Sequence, residues 1–328
     1  MISSFFKNLG PINFTTIKEH LECTPISIND DTFFNEFTSI KNLNENGLSF
    51  LTDAHFSKEN IINDHGAIIC SQSIHRKFKK TNPLIIVNDV HSAVAKLSNI
   101  FYRSLTYNEI ESLDKPKIDS NCNISQSASI ENGAIIGKNV NIGAGCYIGY
   151  NCVIGDNTSI DCNTVITNSV IAENVIVGRN SSLGQQGFGF AISKNKNIKI
   201  FHSGRVIIQT GVNLGSNCTI DRGSFGDTVI GQNTYFDNQC HVAHNVIVGN
   251  NCIFAAMTGI AGSTNIGNDV MTGGQVGIAG HLNIGNNVQI AAQSGVLKDI
   301  DNDSSVMGYP AIDKIKYIRK YKKNYAKY

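Results

Sequence analysis

The chain of 328 residues contains no tryptophan, five prolines and four methionines. Charged residues make up 16% of it, too few for a solvated disordered chain, while 41% hydrophobic residues are enough to build a core. Neither sign of charge prevails: 27 Lys and Arg stand against 26 Asp and Glu, a net of +1. That balance excludes a globally basic nucleic-acid binder and a generally acidic protein. No apolar run reaches the about 18 residues of a membrane span. The opening MISSFFKNLGPINF lacks the apolar core and small-residue cleavage site of a signal peptide. The nine cysteines are odd in number and lack paired metal spacing, so they are expected to be reduced thiols in a cytoplasm.

What the chain has in quantity is a period. Residues 1–105 read as a small α/β unit. A short helix is expected from Phe14 to Leu21, and strands at Leu48–Leu51, Ala67–Cys70 and Leu84–Val87. A helix capped by Asp89 would place Val90, Ala93, Val94, Leu97 and Phe101 on one face. Residues 106–117, ending in Lys115-Pro116, read as a linker. From Ile118 a large aliphatic residue then falls at every sixth position through Ile166, and the series resumes one residue out of phase at Ile171. It continues with Ile208, Ile230, Val242, Ile260 and Ile278 as far as Val296.

No helix has a period of six. A coil with three flat faces does, with one hexad per face and 18 residues per turn. Asn, Asp and Gly fill its corners, as tight turns require. Cys122, Cys146, Cys152, Cys218, Cys240 and Cys252 all sit four residues after an aliphatic position, a slot they share with Ala128, Ala134, Thr158 and Thr164. They are therefore core filler rather than redox or metal groups. The fold expected is mainly β, a parallel β-helix of hexapeptide repeats over 118–303, with a small α/β domain before it and a basic helix over 304–328.

Two interruptions break the period. One spans 184–207 and carries GFGF, expected to pack on a neighbouring subunit or a ligand; a shorter one lies between Ile220 and Ile230. In the tail, AIDKIKYIRKYKKNYAKY holds seven Lys or Arg and one Asp. It reads as a cap over the end of the coil, as a cationic landing patch for an acidic partner, or as both.

On such a lattice, sequence offset becomes spatial offset. His244, Gly262 and Gly280 should line one corner on successive turns, with His281 beside the last and Asp237 and Asn238 on the preceding hexad. A histidine over glycine turns can be a general base or a satisfied structural residue. His241, His244 and His281 also admit a rival, a zinc site shared between subunits as in hexapeptide carbonic anhydrases. A purely structural scaffold is a third reading.

The stretches TIDRGSFGDTVIGQNTYFDNQCHVAHNVIVGNN and GIAGSTNIGNDVMTGGQVGIAGHLNIG resemble the LpxD family, UDP-3-O-(3-hydroxyacyl)glucosamine N-acyltransferases of lipid A biosynthesis. The likeness extends to the order of parts: α/β domain, coil with a GFGF loop, terminal helix. It implies a left-handed coil, a homotrimer, acyl carrier protein as donor and no cofactor or metal. It also implies catalytic roles for His244 (general base), Asp237 (support), Gly262 (oxyanion donor) and His281. Asn238 and His241, which stands where a Gln is common, would contact substrate. The family's uracil pocket maps to Phe50, Asp53 and Phe56, where Asp53 replaces an Asn. Gly295 maps to the end of the acyl groove, and Arg319, Lys320, Lys322 and Lys323 would meet the carrier protein. An acyl-CoA-dependent sugar-nucleotide N-acyltransferase is the alternative within this class.

Overall fold

The computed structural model describes residues 5–52, 65–78, 81–192 and 196–325. The chain forms two compact units. The first comprises residues 1–105 with 188–203 and 224–226; the second comprises 106–187, 204–223 and 227–328.

In the first unit a five-stranded sheet runs in the order Cys23–Ile26, Leu84–Val87, Ala67–Cys70, Gly47–Phe50, Glu36–Phe37. All neighbours are parallel except the first pair. The helix Val90–Phe101 packs on it, with Asp89 Oδ1 accepting from Ser92 N at 3.1 Å, as the sequence pattern predicts. Its buried face is Val90, Ala93, Val94, Leu97 and Phe101.

The extruded segment 188–203 belongs to this unit and is anchored in it through Phe201. Phe201 lies 5.3 Å from Phe6 and 6.4 Å from Tyr102, ring to ring. The Phe201 N–H donates to Ser98 Oγ, and Asn99 Nδ2 donates to Lys199 O. A small hairpin, Phe190–Ala191 with Ile198–Lys199, carries Phe190, whose ring lies 4.6 Å from that of Phe188, which stays 83% exposed. The second interruption contributes Phe225, whose ring enters the core between Phe37 and Phe50.

The second unit is a parallel β-helix. Its two- to five-residue strands stack into three sheets of nine, eleven and nine strands. The register follows the period: Val242 pairs with Ile260, Ile260 with Ile278 and Ile278 with Val296. Each of these side chains is 3% exposed or less, so burial contributes about 1.5–3 kcal/mol per residue before entropy. The phase slip at Ile171 is absorbed in one corner, since Ile171 still pairs with Ile154.

The corners explain the asparagines. The third residue after the inward aliphatic one adopts positive φ, between 56° and 60° at Asn121, Asn139, Asn151, Asn157, Asn163, Asn174 and Asn180. Asn tolerates this conformation better than any other residue with a Cβ. The small slot is buried as expected. Desolvation pushes the Cys152 thiol up to about 12 and raises Cys146 and Cys252 in the same direction.

Two boundaries differ from expectation. Residues 106–117 are not a linker but part of the coil's unit. Thr106 caps the helix Tyr107–Glu111 with a reciprocal Glu109 bond, and Asn132 Nδ2 reaches the carbonyls of Ile110 and Glu111. At the other end the ladder outlasts residue 303. Ser305–Met307 pairs with Gln289–Ile290 and then, antiparallel, with Ile312–Asp313, before the helix Lys314–Tyr325.

The stacked rings of Phe236 and Phe254, 4.5 Å apart at 13°, fill the middle of the coil. Phe254→Ala should destabilise the protein by about 3–5 kcal/mol, read as a lowered urea midpoint. An unchanged midpoint would show that this stack does not limit stability.

Candidate active site

The site is built on a single corner column. His244 follows the buried Val242 by two residues, and Gly262 occupies the same place one turn on. A Cβ on Gly262 would lie 2.8 Å from His244 Cε1 and 2.9 Å from Nε2. The imidazole therefore occupies the space that the glycine leaves. His244 Nδ1 is 3.0 Å from Asn245 Oδ1. An amide oxygen only accepts, so Nδ1 carries the hydrogen and Nε2 holds the lone pair of the neutral ring. Among the described residues none accepts from the Gly262 N–H. A proton acceptor and a backbone donor thus share one half-buried corner.

The other sequence-predicted residues divide. His281 lies two turns from His244, as spacing predicts, but it is the positive-φ corner residue (φ 62°), with its N–H donating to Gly262 O at 3.0 Å. Asp237 does not reach His244 within the chain. Its Oδ1 accepts from the backbone and side chain of Asn238, at 2.7 and 2.8 Å, while Asn238 Oδ1 accepts from Ser216 N. Asp237 and Asn238 follow the strand Tyr235–Phe236, on a different face from His241–Val242, and so sit at a different edge of the coil.

Phe50 is half-buried, its ring 5.3 Å from Phe225 and 5.7 Å from Phe37; Asp53 and Phe56 lie outside the described residues. Gly295 is not an open groove floor, which corrects the reading of that segment. It is buried, and a Cβ there would enter the ring of Tyr309, whose other side is solvent-exposed. One and two turns before it on the same outward row, Gly277 and Gly259 have nothing within 4 Å of a Cβ position. The row is thus bare over two turns and covered at Gly295 by Tyr309. Arg319, Lys320 and Lys322 lie on the terminal helix, together with Lys323, whose side chain is outside what is described.

Sequence reasoning missed the surroundings of His241. Its Nδ1 is 2.7 Å from Thr219 Oγ1, and its Nε2 faces Asp221 Oδ2 at 3.8 Å. Asp221 is 6% exposed and its Oδ1 accepts from Gln185 Nε2 at 2.8 Å. Ser182 Oγ in turn donates to Gln185 Oε1. The signal lay in the motif TIDRG, because adding the four-residue interruption to one 18-residue turn stacks Thr219 on His241. Nδ1 is thus engaged by Thr219, while Nε2 faces the Asp221 carboxylate across a gap. Among the described residues no three His, Cys, Asp or Glu side chains are grouped to hold a metal ion.

Comparison with known proteins agrees first on class. A model described as bacterial transferase hexapeptide (six repeats) matches residues 227–262, and one for the GMPPB C-terminal domain matches 114–200. The crystal structure of LpxA, a UDP-N-acetylglucosamine acyltransferase from Bacteroides fragilis, superposes with a TM-score of 0.50 at 25% identity, covering 62% of this chain and 77% of that one. The coil is a hexapeptide-repeat β-helix of the kind found in acyltransferases.

Within that class the chain is similar to UDP-3-O-acylglucosamine N-acyltransferases. The protein of that name from Rhizobium rhizogenes is 56% identical over 64 residues, 20% of this chain and 18% of the relative. The one from Leptospira biflexa is 54% identical over 65 residues, again 20% and 18%. The resemblance read from the sequence is upheld by these relatives, and the matched stretch spans under a fifth of their length.

The geometry gives a paired test. Gly262→Ala should displace the His244 ring in a crystal structure, because the new methyl falls on it. Gly259→Ala, with open space around it, should leave the ring where it is. An unmoved ring in Gly262→Ala would show that the corner yields elsewhere.

Proposed function

We propose that the protein is an N-acyltransferase that moves a 3-hydroxyacyl chain from acyl carrier protein to the 2-amino group of UDP-3-O-acyl-glucosamine, in lipid A biosynthesis. The observation that carries this reading is the His244 ring seated over Gly262, in a coil whose curated relatives bear that activity's name. The acceptor nitrogen attacks the thioester carbonyl only with its lone pair available. His244 Nε2 takes the proton as the C–N bond forms. Negative charge gathers on the carbonyl oxygen, where the Gly262 N–H stabilises it by about 3 kcal/mol. Direct aminolysis needs no covalent enzyme intermediate, and the reading invokes no cofactor or metal.

Asp237 and His244 occupy different edges of the three-sided coil. A homotrimer, with the Asp237 edge of one copy against the His244 edge of the next, would unite them, and this supports a site shared between subunits. The bare row over Gly259 and Gly277 suits the acyl chain, and Tyr309 would then mark its end. Phe50, Asp53 and Phe56 are proposed for the uridine, with Asn238 and His281 lining the sugar site. Such an enzyme works in the cytoplasm, where its carrier and nucleotide substrates are made. No helix among the described residues is long and apolar enough to cross a membrane.

His244→Ala should keep the fold and lose about 10²–10⁴ in kcat, assayed by mass spectrometry with UDP-3-O-acyl-glucosamine and a panel of 3-hydroxyacyl carrier proteins. The wild type should keep full activity in strong chelator. Near-normal turnover in the folded variant would reject the base, and activity lost with stoichiometric zinc would return the metal reading.

The helix Lys314–Tyr325 has Lys314, Lys316, Arg319, Lys320 and Lys322 and no acidic residue in its first turn. Charge at a rim mainly steers encounter. Reversing Arg319 and Lys320 should raise KM for the acyl carrier protein and flatten its salt dependence, with KM for the sugar nucleotide nearly unchanged. Equal change in both constants would make the helix a structural cap alone.

A further inference from the structure

The polar chain around His241 is used by none of the steps above. It runs across three neighbouring strands, from Ser182 and Gln185 through Asp221 to His241 and Thr219. A buried carboxylate facing one imidazole nitrogen and a hydroxyl on the other is the connectivity of a proton relay. Asp221 can only accept, which puts the hydrogen of neutral His241 on Nε2 and leaves Nδ1 to accept from Thr219. The 3.8 Å gap to Asp221 closes with a small rotation of the ring, whose side chain is 47% exposed, and such contacts are often long before substrate binds.

The relay opens on the bare row. Thr219, His241, Gly259 and Gly277 follow one another on successive turns, and nothing fills the space over the two glycines. His244 comes three residues after His241, a reach of at most about 10 Å. One tetrahedral carbon bears both the attacking nitrogen and the leaving sulfur. A base bonded to the first and an acid bonded to the second then stand at most about 9 Å apart.

We propose that Thr219, His241 and Asp221 deliver the proton to the sulfur that leaves the thioester, across the reacting carbon from the His244 base. The proposal rests on the acyl-transfer reading. As the C–N bond forms, the nitrogen's proton passes to His244 Nε2. As the C–S bond breaks, the sulfur takes the Thr219 hydroxyl proton, which protonated His241 replaces through Nδ1, with Asp221 holding the imidazolium. Amine and thioester become amide and thiol, and solvent carries the proton from His244 back to His241.

The test compares two acyl donors, an alkyl thioester of pantetheine and an aryl thioester of thiophenol. A thiophenolate leaves without a proton, whereas an alkyl thiolate, with a thiol pKa of about 8.5, gains from receiving one. His241→Gln, Asp221→Asn and Thr219→Val, each checked for fold by circular dichroism, should lower the alkyl-to-aryl rate ratio at least tenfold. His244→Ala should slow both donors and leave the ratio unchanged. Equal loss on both donors in the three relay variants would overturn the proposal.

A second readout does not need activity. At alkaline pH, long-range ¹⁵N–¹H spectra should show His241 as the Nε2–H tautomer in the wild type, and Asp221→Asn should perturb it. The Nδ1–H tautomer in the wild type would overturn the relay. If the wild type is inactive with 3-hydroxyacyl carrier protein as well as with both small donors, the acyl-transfer reading fails, and this spectrum judges the relay separately.

Discussion

Everything in the second unit depends on one steric constraint: a corner every six residues, nearly always turned by a left-handed backbone conformation. The inward aliphatic residues supply the cohesive energy, but it is the positive-φ residue three places later that keeps them in register. The same rule applies at Gln239, Asn245, Met257, Ser263 and Gln275, so the backbone conformation persists where the residue type does not favour it. Neighbouring turns hold such positions by hydrogen bonding, as between Met257 N and Asn238 O or Ser263 N and His244 O. A lattice this regular makes position equivalent to function. His244 is distinguished from its neighbours because the next turn offers it a glycine.

Much of this was legible in advance, for physical reasons. A hexad period has no helical explanation, so Ile118 to Val296 could be placed on a coil and His244 placed over Gly262 by counting. The helix after Asp89 was legible because cap and apolar face agree. What counting could not supply was side-chain direction and loop destination. Asp221 sits between the inward Ile220 and the buried Arg222, and nothing in TIDRG says that its carboxylate turns to a histidine 20 residues away. Tyr309 follows the last hexad, so its place over Gly295 depends on how the chain turns back. The destination of 188–203 was equally hidden. Its aromatic residues fit any apolar surface; Phe201 meets the first unit's own core, whereas Phe188 stays exposed.

Two histidines three residues apart carry opposite kinds of support. His244 leans on an amide oxygen, which fixes a tautomer without adding charge. His241 stands between the Thr219 hydroxyl and a buried carboxylate that is itself immobilised by Gln185. The buried thiols nearby take no part. Burial keeps Cys152 and Cys252 protonated, and their hydrogen bonds go to backbone carbonyls of the next turn.

A stack of parallel strands has no intrinsic end. Every turn presents the next with the same row of donors and acceptors, and a second molecule could continue it as readily as the chain itself does. Here the eleven-stranded sheet finishes with Ile312–Asp313 running antiparallel to Ser305–Met307. A strand laid in the opposite direction offers the wrong hydrogen-bond spacing to an incoming parallel turn. Reversing one short strand thus denies an incoming turn a parallel edge on one of the three faces, and a coil that cannot be continued on every face is a poor template for a fibre.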